Sequence, residues 1–149
     1  MASHKLASTL FYSLDKAIKT YRQFAQNNIN RAGIDITIDQ WLVLKTLQDN
    51  PDITLQQISR DVFKDFASIT RIIQLLETKG YVARLLHPVD GRRSAFSLTR
   101  RGKATVRSLQ SVVARNRGSA VKGIKQADIE SAHALLTRIA ANCQPTSQQ

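Results

Sequence analysis

The sequence predicts a mainly α-helical fold with one small β-hairpin, arranged as one compact domain. The chain has 149 residues, 42% of them hydrophobic, with 6 glycines and 3 prolines. This composition supplies a core and is unlike that of a disordered chain. Apolar residues recur at helical spacing along most of the chain. The exception is residues 82–98, where two short extended segments flank a turn-rich stretch.

The first predicted helix covers residues 4–31, and Gly33 supplies its stop. Its apolar residues recur every three or four positions, so they share one face. That face consists of Leu6, Leu10, Leu14, Ala17, Tyr21 and Phe24.

Two shorter helices follow, at residues 38–49 and from Thr54 to about Asp61. Each begins with Thr followed three positions later by Gln, the pattern of a capping box. An apolar residue before the cap and another after it are placed as a hydrophobic staple. The two signatures are Ile36, Thr37, Gln40 and Trp41, then Ile53, Thr54, Gln57 and Ile58.

A fourth helix begins after Asp65, its predicted N-cap, and ends at Gly80. If Gly80 takes the C′ position of a Schellman ending, Tyr81 packs back on Leu76. The buried stripe of this helix is expected to be Ile69, Ile72, Ile73 and Leu76.

The hairpin strands are predicted at residues 82–86 and 94–98, around a basic loop. Thr99 then caps a long helix that runs to about residue 117. Gly118 and Gly123 are expected to interrupt it.

A last amphipathic helix is predicted at residues 126–142, followed by Cys143. Because Cys143 is the only cysteine, the chain has no intramolecular disulfide and lacks the ligands of a cysteine zinc site. The three histidines have no metal-ligand spacing. We therefore expect no metal and no cofactor, and we interpret Cys143 as incidental rather than redox-active.

The chain is strongly basic, with a formal net charge of +11. Residues 54–107 carry eleven basic and four acidic side chains, a net of +7, whereas the rest of the chain carries +4. A solvated basic face is the simplest interpretation of such a run. A polyanionic partner is the alternative that the predicted helices favour.

Several classes of protein are excluded on sequence grounds. No apolar run is long enough for a membrane span or a signal peptide, so we expect a cytoplasmic protein with no membrane partner. No nucleophile-base constellation, carboxylate pair or phosphate-binding glycine loop is present, so we expect no enzyme.

A short helix, a tight turn, a second helix and a basic hairpin occur in the order of a winged helix-turn-helix. In that motif one helix enters the major groove of DNA. The fourth helix here offers hydroxyl, guanidinium and amide groups near its N-terminus that suit base edges. They belong to Ser68, Thr70, Arg71 and Gln74.

Residues 34–103 resemble the core of the MarR family of bacterial transcription regulators. The resemblance rests on several short motifs and on the spacing between them. They are Ile36-Thr37, Gln40-Trp41 and Val43-Leu44, then Ser68-Ile69-Thr70-Arg71 and Leu76-Glu77-Thr78-Lys79-Gly80-Tyr81-Val82, and finally Asp90, Arg92, Leu98, Thr99 and Gly102.

The resemblance implies roles for individual residues. Ser68, Thr70 and Arg71 fall on base-reading positions, and Arg92 falls on the wing arginine that enters the minor groove, oriented by Asp90. The family usually has an arginine where this chain has Gly91, so wing contacts shift to Arg93 or weaken. By charge and position we also expect phosphate contacts from Lys64, Arg84, Arg100 and Arg101.

In the family the terminal helices form a homodimer, which implies dimerisation regions at residues 1–33 and 104–149 around a DNA-binding region at 34–103. Members often bind a small-molecule effector between these regions. Tyr12 and Trp41 are candidates for such a pocket, although aromatic residues at helical spacing usually pack in the core.

The function predicted from the sequence is a homodimeric regulator of transcription, most often a repressor, that binds a pseudo-palindromic duplex site and is released by a small ligand or an oxidant. Two alternatives remain. One is an architectural protein that binds DNA with little sequence preference. The other is a protein-interaction module that uses the winged helix only as a scaffold.

Overall fold

The computed structural model describes residue 5, residues 8–86 and residues 94–145. Within these ranges the chain is mainly helical with one antiparallel hairpin, which confirms the predicted fold class. The elements are α1 (Leu10–Arg31), α2 (Ile38–Asp49), α3 (Leu55–Asp61), α4 (Phe66–Thr78), β1 (Val82–Leu86), β2 (Ser94–Leu98), α5 (Arg100–Ala120) and α6 (Gln126–Cys143).

The chain divides into two compact units, Met1–Asn116 and Arg117–Gln149. The first unit holds the hydrophobic core, to which α1, α2, α3, α4, the hairpin and α5 contribute. In the second unit every residue of α6 is at least partly exposed. The fully buried side chains of the first unit include Ile29, Leu44, Ile58, Ile73 and Leu109.

The caps predicted for α2, α3 and α4 are confirmed. Thr37 and Thr54 each accept a hydrogen bond from the backbone N–H three residues on, and the Gln at that position bonds back to the threonine N–H. Asp65 caps α4 by accepting from the N–H of Ser68. Three elements therefore begin where their local hydrogen bonds require.

The hairpin is fixed at its base by Thr99. β1 pairs with β2 in antiparallel register from Val82 opposite Leu98 to Leu86 opposite Ser94. The Thr99 hydroxyl donates to the carbonyl of Gly80 at 2.6 Å and accepts from the N–H of Gly102 at 3.0 Å. One side chain thus joins the end of α4 to the start of α5.

Two predicted boundaries were wrong. α1 begins at Leu10 rather than at residue 4. α5 continues through Gly118 to Ala120, and only Gly123, at φ +80°, lies in the break before α6. One interior glycine destabilises a helix by about 1 kcal/mol. This cost is too small to end α5 at Gly118.

Candidate nucleic-acid interface

The solvent side of α4 carries the four predicted base-reading residues. Buried Ile69, Ile73 and Leu76 turn the opposite side of the helix into the core. Arg71 and Gln74 are exposed, whereas Ser68 and Thr70 are half-buried. We call Ser68, Thr70, Arg71 and Gln74 the reading face.

The reading face is linked by its own hydrogen bonds. The Ser68 hydroxyl donates to Asp65 at 2.9 Å, and the Arg71 guanidinium donates to the Ser68 oxygen at 3.3 Å. Thr70 donates to the carbonyl of Phe66 at 3.0 Å. The hydrogen bonds from the Ser68 N–H and hydroxyl hold the pKa of Asp65 below its usual value. Asp65 is therefore charged at neutral pH and competes with a phosphate for this helix N-terminus.

The four predicted phosphate-contacting residues have different surroundings. Lys64 forms an ion pair with Asp39 at 3.1 Å. Arg84 lies 3.6 Å from Glu77, with its guanidinium 5.1 Å from the centre of the Phe96 ring. The Arg101 guanidinium lies 5.0 Å from the centre of the Tyr81 ring, and Arg100 is exposed at the start of α5.

Asp39 ties α1 to the turn before α4. Its carboxylate accepts a hydrogen bond from Arg22 and pairs with Lys64. Burial raises the pKa of Asp39, but the hydrogen bonds and charges of Arg22 and Lys64 outweigh it, so the pKa lies below the ordinary value. This cluster was not predicted, because no local sequence pattern links residues so far apart in the chain.

The lowered pKa makes the stability of the fold depend on Asp39 in acid. A carboxyl whose pKa is lower when folded stabilises the protein above its unfolded pKa of 3.8, and that stabilisation is lost as the pH falls through the folded pKa. We expect Asp39→Asn to reduce stability at pH 7 and to lose less stability than the wild type on going from pH 5 to about pH 2. Urea unfolding between pH 5 and about pH 2 measures this loss of stability. The variant Asp52→Asn, at an exposed position, is the charge control. Equal acid losses in wild type and Asp39→Asn would contradict the assignment.

The predicted wing residues Asp90, Arg92 and Arg93 lie outside the described residues, as does Gly91. The two predicted pocket residues fall in different environments. Trp41, 6% exposed, packs in the core cluster, and Tyr12, 39% exposed, lies on the surface of α1.

A cavity of about 550 Å³ lies between the end of α2, β2 and the start of α5. Lys103 and Arg107 contribute two cations to it, beside the apolar side chains of Leu47 and Phe96. The cavity was not predicted from the sequence, because it forms only when the three elements pack. Its remaining walls are Gln48, Pro51, Ser97 and Leu98.

The described residues contain neither a membrane-spanning helix nor a cluster of metal ligands. Over residues 5, 8–86 and 94–145 no helix has the length and hydrophobicity to cross a bilayer. Across the same ranges, no group of three or more His, Cys, Asp or Glu side chains is arranged to hold a metal ion.

The chain is similar in sequence to staphylococcal regulators. The HTH-type transcriptional regulator SarZ of Staphylococcus haemolyticus is 26% identical over 114 residues, which cover 74% of each chain. SarZ of Staphylococcus aureus is 28% identical over 102 residues, which cover 68% of this chain and 65% of the regulator.

The fold matches solved regulators over nearly the whole chain. Bordetella bronchiseptica BpsR, solved in a study of how 6-hydroxynicotinic acid regulates its DNA binding, has a TM-score of 0.84 at 21% identity, covering 93% of this chain and 98% of BpsR. Streptomyces coelicolor PcaV, solved with its natural ligand, has a TM-score of 0.80 at 22% identity, covering 97% and 100%.

A family model also matches this chain. It is the model of the MarR family, and it covers residues 36–94, which run from the residue before the Thr37 cap to the first residue of β2. The matched segment contains α2, α3, α4 and β1, and thus the reading face. Residues 36–94 are therefore similar to the MarR family, and the solved structures share the fold of this chain.

Proposed function

We propose that this chain is a sequence-specific, double-stranded DNA-binding regulator of the bacterial cytoplasm. It acts as a homodimer, as a repressor, on a pseudo-palindromic operator. In this proposal α4 enters the major groove, and two copies place their α4 helices about 34 Å apart, one helical turn of DNA.

The observation that carries this proposal is the reading face. Arg71 and Gln74 stand exposed on a helix whose other side is anchored in the core. Arginine suits the paired acceptors of guanine, and glutamine suits the donor and acceptor of adenine. A rigid helix that presents these groups together fits base recognition better than a general basic surface does.

The homodimer is supported by exposed apolar side chains on the terminal helices. α1 leaves Phe11 64% and Ile18 51% exposed, and α6 leaves Leu135 51% and Leu136 42% exposed. Each helix by itself thus exposes large apolar side chains of the kind that a protein interface buries. A second copy of the chain is the partner we propose for these faces.

Release by a small ligand or an oxidant is also part of the proposal. The DNA binding of BpsR is regulated by 6-hydroxynicotinic acid, and PcaV was solved with its ligand. Tyr12 and Trp41 remain our proposed pocket residues.

The test is binding to the DNA upstream of the gene for this chain, with excess unrelated duplex, across a salt series. We expect a footprint of two symmetric half-sites that survives the competitor, and a dimer by analytical ultracentrifugation. Uniform, competable coating with a steep salt dependence would instead favour the architectural alternative, which the +11 net charge supports.

Arg71→Ala is expected to weaken binding to the specific site by about 1 to 3 kcal/mol and to relax discrimination at the base it contacts. The reason is that Arg71 is exposed on the reading face, where its guanidinium donates to the Ser68 oxygen. Fluorescence anisotropy on the operator and on single-base variants measures both effects.

Arg115→Ala is the matched control for Arg71→Ala. It removes the same charge from an exposed position on α5, away from the reading face. If Arg71→Ala and Arg115→Ala weaken all sequences by the same factor, Arg71 acts only through its charge and the assignment to base reading fails.

A further inference from the structure

The turn between α3 and α4 exposes two aromatic side chains. Phe63 is 93% exposed, and Phe66, the first residue of α4, is 53% exposed. We call Phe63 and Phe66 the turn phenylalanines. Both rings remain in water in the free chain, where an apolar surface of this size is unfavourable.

Phe63 also occupies a backbone conformation that favours glycine. α3 ends in a Schellman motif, in which the N–H of Phe63 bonds to the carbonyl of Arg60 and the N–H of Lys64 bonds to the carbonyl of Ser59. Phe63 is at the C′ position of this motif, with φ 60°.

Among the described residues the same ending occurs twice more, each time with glycine at C′. α1 ends at Gly33 with φ 75°, and α4 ends at Gly80 with φ 81°. Because a Cβ is disfavoured at positive φ, phenylalanine at this position makes the fold less stable than glycine would. The exposed Phe63 ring makes too little contact with the rest of the fold to offset this loss of stability. We therefore expect the ring to contribute to binding.

The turn phenylalanines lie beside the reading face. Phe66 begins the first turn of α4, and its carbonyl accepts from the Thr70 hydroxyl. The N-terminal residues of a recognition helix are those that approach base edges. In the major groove, phenylalanine contacts the methyl group of thymine. The occupant with matching chemistry is therefore a thymine of the bound duplex.

We propose that Phe63 and Phe66 contact thymine methyl groups and set a preference for thymine at the edge of the operator half-site. This inference rests on the proposed function, because it needs a duplex bound at the reading face. It adds a specificity element that hydrogen bonding by Ser68, Thr70 and Arg71 does not supply.

The experiment removes the methyl group alone. Full-length wild type first selects its preferred duplex from a randomised library, and each thymine of that duplex is then replaced singly by deoxyuridine. We expect at least one replacement to weaken wild-type binding about fourfold, the equivalent of one buried methyl-sized group. In the double variant Phe63→Gly with Phe66→Ala, the thymine and deoxyuridine duplexes are expected to bind equally at that position.

Two controls separate this contact from general damage. The variant Phe63→Tyr with Phe66→Tyr keeps both rings and is expected to keep the deoxyuridine penalty. Thermal unfolding of the Phe63→Gly single variant is expected to show a melting temperature no lower than that of the wild type, because glycine suits φ 60°.

The possible outcomes distinguish a failure of the thymine preference from a failure of the proposed DNA-binding function. If the wild type selects no sequence, the proposed function fails and the thymine preference fails with it. A selected duplex without any deoxyuridine penalty leaves the regulator intact and overturns the inference. A deoxyuridine penalty of equal size in the wild type and the double variant also overturns the inference. It would assign the methyl contact to other residues and leave the turn phenylalanines free for a protein partner.

Discussion

Gly102→Ala is expected to destabilise the fold by more than about 3 kcal/mol, as judged by urea unfolding. A Cβ at this position would lie 2.0 Å from the carbonyl oxygen of Tyr81 and 3.0 Å from its carbonyl carbon. Overlap with backbone cannot be relieved by turning a side chain. Either α5 must withdraw from the start of the hairpin, or Tyr81 must move.

Tyr81 is held too firmly to move at low cost. Its N–H donates to the carbonyl of Leu76 at 2.9 Å, its carbonyl accepts from the N–H of Thr99 at 3.1 Å, and its side chain is 6% exposed. Moving it would break both hydrogen bonds and disturb the core. The clash is therefore expected to appear almost in full as lost stability.

Gly118→Ala, in the same helix, is the matched control. A Cβ there would meet no atom of the described chain within 4 Å. Alanine inside a helix is favoured over glycine by about 0.5 to 1 kcal/mol, so this variant is expected to be more stable than the wild type. If Gly102→Ala unfolds at the same urea midpoint as the wild type, α5 and Tyr81 can move apart more easily than their contacts indicate.

Asn116→Ala is expected to lower the free energy of unfolding by about 2 to 4 kcal/mol. Asn116 is 2% exposed. Its side-chain oxygen accepts from the Asn28 amide at 2.9 Å, and its nitrogen donates to the carbonyl of Ala25 at 3.4 Å. Alanine would remove both hydrogen bonds and leave a small cavity between α1 and α5.

Asn27→Ala supplies the comparison for Asn116→Ala, since it removes the same side chain from an exposed position on α1. We expect it to change stability by less than about 0.5 kcal/mol. Chemical denaturation of the two variants side by side measures the difference. If they unfold alike, water replaces the buried amide and the link between α1 and α5 contributes little.

The parts of the fold that sequence predicted well are those specified within a few residues. The Thr37 and Thr54 capping boxes and the Gly80 ending each depend on side chains three to five positions apart, so the pattern is visible along the chain. For the same reason the ends of α2 and α3 and the strands of the hairpin fall where they were predicted.

The parts that sequence did not predict depend on distant residues or on an exception to a local rule. The Arg22, Asp39 and Lys64 cluster exists only because α1, α2 and the turn before α4 meet. Phe63 takes a conformation that the rule reserves for glycine, so no pattern marks it. The four residues of the reading face were predicted from the sequence, but the hydrogen bonds of Ser68 with Asp65 and Arg71 were not.

The Thr99 junction separates the length of the connection between β1 and β2 from the packing of the core. Thr99 bonds to Gly80 just before β1, and it follows β2 directly, so the hairpin leaves and rejoins the fold at one fixed point. We expect insertions or deletions between β1 and β2 to leave α4 and α5 in place, because Thr99 bonds to Gly80 and Gly102 at the base of the hairpin. Evolution or design can therefore change the length and sequence of this connection while the hydrophobic core keeps its sequence.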